Sequence, residues 1–177
     1  GEMSTQETPP LRDEEFYQSQ RIERRQGEIT ALDASAKTLH LHDGQSLRYD
    51  AAVLATGGEP NPLQLPGADL PQVFFLRSKA QAEPIMRTAK PEQRALIIGD
   101  SFIALECASA LRQLGLDVTV SARHAIPFAA QFGTAVGKAI RALHEQHGVK
   151  FITDHEVREV IGDGKVEAVL LDNGLRV

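Results

Sequence analysis

The alternation of apolar and polar residues predicts a strand-rich first third of the chain. Leu39 and Leu41 alternate with polar neighbours and precede Asp43-Gly44, a pair that favours a tight hairpin turn. The apolar run before Gly58 lacks this alternation, which is typical of a strand buried on both faces. The predicted elements, in order, are a helix over 14–20, a strand over 27–31, a hairpin of 38–42 with 46–49, and a fully buried strand over 51–58.

Beyond residue 76 the pattern alternates between helical and strand periodicity, which predicts a parallel sheet with covering helices. The predicted elements are a helix over 79–90 interrupted by Pro84, strands over 95–98, 118–121 and 149–153, helices from 102 and over 135–146, and a hairpin of 157–161 with 165–171.

A proline-rich stretch separates these two parts. Residues 60–71 hold four prolines and Gly67, which predicts a surface crossing and the domain boundary. The strand over 51–58 would need covering layers on both sides, and the turn at 172–174 points toward one more strand. We therefore expect the chain to be a piece of a larger protein.

Composition narrows the class of protein. The 177 residues are 42% hydrophobic and 24% charged with a formal net charge of −5, which is ordinary for a globular domain and gives no reason to expect nucleic acid. No apolar run approaches the ~20 residues that span a bilayer, and the first residues do not have the pattern of a signal peptide. The single cysteine, Cys107, fits a reducing compartment, and we predict a cytoplasmic location.

The strand over 95–98 meets a small-residue turn that opens a helix, and units of this kind hold a dinucleotide pyrophosphate at the helix N-terminus. The glycine pattern G-x-G-x-x-G is degraded here to Gly99, Ser101 and Ala104. The Ser101 hydroxyl can donate to a phosphate oxygen, whereas Asp100 is expected to point away from the pyrophosphate. The alternative is that any strand-turn-helix crossing favours small residues at these positions.

The end of the second strand bears on cofactor choice. An acid about twenty positions after the first glycine would bind the ribose 2′-hydroxyl of NAD, but Ser121 and Ala122 stand there. Arg123 and His124 follow with positive charge, which favours the 2′-phosphate of NADP(H), and Ser121 can add a hydrogen bond. A solvated Arg-His pair at the start of a loop is the alternative.

Two other candidates are interpreted as structural. His144 and His147 are three residues apart, not four, and no third metal ligand is evident, so a solvated helix end is favoured. Cys107 lies among apolar neighbours, which is typical of a core cysteine. We predict no metal site.

Four segments together resemble the FAD-dependent pyridine nucleotide-disulfide oxidoreductases, in particular the ferredoxin, rubredoxin and putidaredoxin reductase and apoptosis-inducing-factor-like group. They are Leu11–Tyr17, Tyr49–Gly57 (Y-D-A-A-V-L-A-T-G), Leu65–Asp69 (L-P-G-A-D) and Gly99–Glu106 (G-D-S-F-I-A-L-E). The resemblance implies an α/β fold: a Rossmann-like parallel-sheet domain with a β-meander that binds NAD(P)H over 77–177 and lacks its last strand, and an incomplete Rossmann-like FAD domain over 1–76.

The resemblance also implies roles for individual residues. Phe102 would lie over the flavin and yield to the nicotinamide ring, and Glu106 would approach the carboxamide and the flavin edge; these two are the predicted catalytic residues. The residues implied to bind cofactor are Gly99, Asp100, Ser101, Phe102, Ile103, Ala104, Ser121, Ala122, Arg123, Thr56 and Gly57. Ala122 departs from the family's usual acid.

The implied function is electron transfer from NAD(P)H through FAD to a ferredoxin-like or Rieske-type iron–sulfur protein, with no membrane partner and a homodimer left open. The family's first G-x-G-x-x-G would precede residue 1, so we expect this chain alone to bind FAD poorly or not at all. Two alternatives remain: an isolated nicotinamide-nucleotide module without turnover, and a flavin-linked thiol oxidoreductase whose cysteine would lie upstream.

Overall fold

The computed structural model describes residues 10–177, which divide between Gly57 and Gly58 into two compact units. Each unit has its own secondary structure and is described by itself. Within residues 10–177 no helix combines the length and the apolar character needed to cross a membrane.

The first unit consists of one short helix and a three-stranded antiparallel sheet. Helix α1 (Glu14–Ser19) begins at Asp13, whose carboxylate accepts the N–H of Phe16 at 2.9 Å. Strands β1 (Ile29–Asp33), β2 (Thr38–Leu41) and β3 (Ser46–Arg48) pair in that order, with Leu39 opposite Leu47 across the predicted hairpin. The sequence pattern predicted this helix and these three strands correctly.

The predicted buried strand over 51–58 is wrong for this chain. These residues form neither strand nor helix, and Val53 and Leu54 are 92% and 71% exposed. The physical reason is a lack of partners: the three strands of this unit pair only with one another, and no described strand accepts hydrogen bonds from this segment.

The second unit alternates helices and strands as predicted. Helix α2 (Lys79–Thr88) begins with a capping box between Ser78 and Gln81 and contains Pro84. The elements that follow are β4 (Arg94–Ile98), α3 (Phe102–Gln113), β5 (Asp117–Ala122), α4 (Ala129–Phe132), α5 (Thr134–Gln146), β6 (Lys150–Thr153), β7 (Val157–Ile161) and β8 (Ala168–Leu171). The pattern missed only the four-residue helix α4.

A parallel sheet of order β4-β5-β6 forms the centre of this unit, which confirms the predicted α/β class. Val118 and Val120 of β5 are fully buried beneath Leu105, Ala108 and Leu111 of α3. Since β5 is the middle strand and has helical cover, its apolar residues are its most protected ones. The carboxyl ends of the three strands meet at one edge of the sheet.

The β7-β8 hairpin carries a second small core and closes against the crossing segment. The Pro66 carbonyl accepts the Val160 N–H at 2.9 Å, and a Cβ on Gly67 would stand 1.9 Å from the Val160 oxygen. After the turn at 172–174, Val177 exchanges two backbone hydrogen bonds of 2.9 Å with Val169. Beyond this turn the described residues form a single isolated antiparallel bridge between Leu170 and Arg176, and no further strand.

Candidate functional site

The turn between β4 and α3 brings a backbone that requires glycine to the carboxyl edge of the parallel sheet. Gly99 has a φ of +122°, a conformation that L side chains rarely adopt. A Cβ at this position would meet nothing within 4 Å, so the space beside the turn is open and glycine is required by the backbone and not by crowding. An anionic group can therefore approach the main chain here.

The N-terminus of α3 faces this turn with its hydrogen-bond donors arranged by Ser101. As the N-cap residue, Ser101 accepts the Ala104 N–H on its Oγ at 3.3 Å, and its carbonyl accepts the Leu105 N–H at 3.0 Å. The amides of Phe102 and Ile103 have no acceptor inside the helix, because the first turn of any helix leaves such groups free. Together with the helix dipole they favour an anion such as a pyrophosphate.

Two predicted segments that lie far apart in sequence meet at this edge. The Gly99 N–H donates to the Ser121 carbonyl at 2.8 Å, and Ile98 lies opposite Ser121 in the parallel register. The Asp100 carboxylate pairs with the His124 ring at 3.0 Å. The turn after β4 and the loop after β5 therefore form one continuous surface, and Asp100 is engaged with His124, not left free.

The four residues at the end of β5 divide into a covered pair and an exposed pair. Ser121 and Ala122 are buried, whereas the side chains of Arg123 and His124 are largely exposed. Arg123 Nε lies 3.3 Å from Glu156 Oε1, in the segment that follows β6. The positive charge that favours a 2′-phosphate is thus present, but a carboxylate already pairs with it.

Glu156 and its surroundings are the part of the site that sequence reasoning missed. The Glu156 carboxylate also lies 3.9 Å from the Arg158 guanidinium, so two arginines share it. Its backbone contacts Asp172: desolvation pushes the pKa of that carboxyl upward, but hydrogen bonds from Glu156 and His155 and the charges of His155 and Arg158 hold it below its ordinary value. The sequence did offer one indication of Glu156: it follows the strand next to β5, and residues that follow neighbouring parallel strands lie at the same edge of the sheet.

An aromatic cluster occupies the other side of the turn. The rings of Phe102 and Phe128 are 4.3 Å apart, and Phe132 lies edge-on to Phe102 at 5.8 Å. Phe128 is buried and has a φ of +59°, whereas Phe102 and Phe132 are 54% and 51% exposed. Phe102 is therefore supported from below and presents one face to solvent, as a stacking residue must.

Three of the remaining predicted residues lie on α3, and two lie in the first unit. Glu106 is exposed one turn along α3 from Phe102, and Ile103 is exposed while Ala104 is buried against the core. Thr56 and Gly57 are exposed in the first unit, and Gly57 has a φ of +72° with open space around its Cα.

Cys107 and His144 are both partly buried, and their surroundings shift the pKa of each. Burial raises the pKa of the Cys107 thiol, which packs against the core of the second unit. Burial, and then the neighbouring His147, lower the pKa of His144, whose ring lies edge-on to Phe151 at 6.4 Å. Among residues 10–177 no group of three metal-ligating side chains is present.

Comparison with known proteins identifies one family and several similar reductases. The family described as pyridine nucleotide-disulphide oxidoreductase matches residues 3–177. The ferredoxin–NAD(+) reductase subunit of the benzene 1,2-dioxygenase system of Pseudomonas putida is 33% identical over 172 residues, which are 97% of this chain and 42% of that protein.

Two solved structures are also similar. The reductase in a covalent putidaredoxin reductase–putidaredoxin complex has a TM-score of 0.78 at 30% identity, over 94% of this chain and 42% of that one. An engineered water-forming NADPH oxidase bound to NADPH has a TM-score of 0.64 at 26% identity, over 82% of this chain and 34% of that one. The chain thus spans less than half of each of these proteins.

Proposed function

Since the chain belongs to the pyridine nucleotide-disulphide oxidoreductase family, we propose that it forms the NAD(P)H-binding part of an FAD-dependent reductase. In this proposal NAD(P)H supplies electrons, FAD receives them, and a small ferredoxin-like or Rieske-type iron–sulfur protein is the acceptor. The whole protein's activity and partner are part of the proposal, because the chain spans 42% of the first relative's length.

The observation that carries the proposal is the turn from β4 into α3. Gly99 holds a backbone conformation that L side chains rarely adopt, beside open space, at the N-terminus of a twelve-residue helix. A turn with no role beyond crossing from strand to helix does not need an open approach to unpaired amides. A dinucleotide pyrophosphate needs both.

In this proposal each residue at this edge has a role along the dinucleotide. The amides of Phe102 and Ile103 and the Ser101 hydroxyl would bind the pyrophosphate, and the end of β5 would receive the adenosine ribose. Phe102 would stack on the nicotinamide side and exclude water, with Glu106 one turn away to orient the carboxamide. When bound, the two cofactors supply hydride and electron transfer, while the protein orients them.

The flavin site is represented in this chain only by Thr56 and Gly57. Both are exposed, and the left-handed backbone of Gly57 with open space around it fits a main-chain contact to a nucleotide. Two such residues do not by themselves make a binding site. The domain division after residue 76, the cytoplasmic location and a homodimer stay predictions.

The names of the similar proteins support this choice over the two alternatives. One is a ferredoxin–NAD(+) reductase and another is a reductase captured with its iron–sulfur partner, putidaredoxin. Burial raises the pKa of Cys107, the chain's single cysteine, so the thiol alternative finds no reactive cysteine in this chain and depends on one upstream of residue 1.

Calorimetric titration with NADP+ and NAD+ tests dinucleotide binding directly, and we expect saturable binding of at least one of them. Phe102→Ala, made in the intact flavoprotein that contains this chain, tests the stacking role: single-turnover flavin reduction by NAD(P)H should change while thermal unfolding stays close to that of the unmodified protein. Unchanged reduction kinetics in this variant would remove Phe102 from the mechanism.

Flavin absorbance separates the reductase from the isolated module. Purified protein with flavin absorbance bands supports a flavoprotein assembly, whereas colourless protein that binds dinucleotide supports a module without turnover.

A further inference from the structure

The ends of β5 and β6 place a base and an acid side by side where the adenosine ribose would lie. Ala122 pairs with Thr153 in the parallel register, so the residues that follow each strand emerge at the same edge. Arg123 follows β5 directly, and its Nε lies 3.3 Å from Glu156 Oε1. The two side chains are thirty-three positions apart in sequence and meet only through the sheet.

The backbone that carries Glu156 is held firmly. Its carbonyl accepts the Asp172 N–H at 2.9 Å. The neighbouring His155 ring lies between Asp172 Oδ1 at 3.0 Å and Asn173 Nδ2 at 2.9 Å. These contacts anchor the segment to the turn that follows β8, and the Glu156 side chain extends from this anchored backbone to Arg123.

The surroundings of Glu156 are those of an anion site in which the anion is a side chain. Arg123 at 3.3 Å and Arg158 at 3.9 Å face its two carboxylate oxygens. His124 stands beside Arg123 and pairs with Asp100. A phosphate dianion needs the same kind of basic surroundings, and guanidinium groups bind phosphate and carboxylate with the same fork of donors.

The similar engineered oxidase connects this position with cofactor choice. That protein binds NADPH and carries a glycine-to-alanine change and, eighteen positions later, adjacent aspartate-to-alanine and alanine-to-arginine changes. This chain has the same residues at the same spacing in Ala104, Ala122 and Arg123. In this chain, in addition, the Glu156 carboxylate pairs with the arginine at this position.

We propose that Glu156 is a specificity-determining residue whose carboxylate competes with the 2′-phosphate of NADP(H) for Arg123. The inference rests on the proposed dinucleotide binding and deepens it. A 2′-phosphate must displace Glu156 from Arg123 or lie against a like charge, and both cost affinity. NAD(H) has no 2′-phosphate and avoids this cost, so Glu156 reduces a preference for NADP(H) that Arg123 by itself would make large.

The test measures binding of NADP+ and NAD+ to the full chain by calorimetry at constant ionic strength. Glu156→Gln should tighten NADP+ binding by about threefold to tenfold, on the scale of a part-exposed ion pair, and leave NAD+ within about twofold. Asp117→Asn is the matched control. Asp117 is the first residue of β5, at the end opposite Arg123. Like that of Glu156, its side chain is 44% exposed and ion-paired, in this case to Lys150 at 2.8 Å. It should change neither affinity.

A second variant tests whether Glu156 acts through Arg123. Arg123→Ala should weaken NADP+ binding by about tenfold to hundredfold. In that background Glu156→Gln should have a smaller effect on NADP+ than in the unmodified chain, because only the direct repulsion remains. Equal effects in both backgrounds would overturn the competition for Arg123.

The remaining outcomes separate this inference from the proposed function. If both dinucleotides bind but Glu156→Gln leaves their affinity ratio unchanged, the inference is wrong and the proposed function stands. Weaker NAD+ binding in Glu156→Gln would mean that Glu156 binds the ribose diol, which also overturns the inference. Absence of binding by both dinucleotides would overturn the proposed function and this inference with it.

Discussion

At the scale of single residues, two glycines with a positive φ have different surroundings and different roles. Gly67 has a φ of +76° and a backbone oxygen 1.9 Å from where its Cβ would be, so it allows two segments to touch. Gly99 has an equally unusual φ of +122° but nothing within 4 Å of that position. The first glycine therefore serves packing, whereas the second leaves open space beside the main chain.

Gly99→Ala should lower the free energy of unfolding by about 1–3 kcal/mol, because alanine is strained at this positive φ even though it has space. Chemical denaturation monitored by circular dichroism measures the change. Gly58→Ala is the control, since that position is equally open and its φ is not in the strained range. A Gly99 variant as stable as the Gly58 variant would contradict this account of the turn.

Cys107 should react slowly with a thiol reagent in the folded chain and rapidly after unfolding in urea. Its pKa is raised by burial, which reduces the thiolate that reacts, and its neighbours also restrict access. Absorbance of the released chromophore follows the reaction. Similar rates in both states would mean that the thiol is available for chemistry, against its assignment to the core.

At the scale of elements, helix α3 carries most of the residues of the candidate site. Ser101 caps its first turn, Ala104 is buried, and Ala108 packs with Val118 and Val120 of β5. Capping and anion binding use different parts of Ser101: the lone pairs of Oγ accept from Ala104, which leaves the hydroxyl hydrogen to donate to a phosphate. Substitutions can separate these two roles.

Ser101→Ala should lose about 0.5–2 kcal/mol of unfolding free energy, the usual cost of an N-cap. Ser101→Asp keeps a capping oxygen and should keep the stability, but its charge should weaken dinucleotide binding by roughly tenfold or more. Ser78→Ala removes the comparable cap of α2 and should lower stability without affecting binding. Undiminished binding by Ser101→Asp would exclude a pyrophosphate at this turn.

The second unit should lose stability as the pH falls, because His144 of helix α5 resists protonation in the folded chain. The folded-state pKa of His144 is lowered by burial and then by His147, so the unfolded chain binds a proton that the folded chain resists. Stability is therefore full above the unfolded pKa of about 6.5 and declines as the pH falls through it toward the folded value. Denaturation midpoints between pH 8 and 5 should fall less in His144→Gln than in the unmodified chain; parallel curves would contradict this assignment.

At the scale of the whole molecule, the two units have unequal roles. Every residue proposed to bind the dinucleotide belongs to residues 58–177, whereas the first unit contributes only Thr56 and Gly57 to the proposed flavin side. The last residues before the division are exposed and belong to no strand or helix. Dinucleotide binding should therefore not depend on the covalent link between the units.

Limited digestion with a protease that cleaves before bulky apolar residues should cut first near Val53 and Leu54, which are 92% and 71% exposed. Val118 and Val120 should be spared because they are fully buried. The C-terminal product should keep its dinucleotide affinity within about threefold by calorimetry, since its edge contacts are internal. Loss of binding on this cleavage would assign part of the dinucleotide site to the first unit.

Most elements of the fold, and the residues of the Gly99 turn, were determined by the sequence alone. Apolar spacing and turn residues act over a few positions, so helices such as α3 and α5 and the β2-β3 hairpin are visible in the pattern. The same holds for Gly99, Ser101 and Phe102, which lie within four consecutive positions of one turn.

Only the tertiary structure decided what surrounds these residues. The apolar run 51–58 reads as a buried strand, yet it is exposed because burial depends on partners and not on its own composition. Glu156 reads as an ordinary loop acid, yet the register of β5 with β6 places it on Arg123. Electrostatic pairing depends on distance in space, and a parallel sheet brings together strand ends that the chain holds far apart.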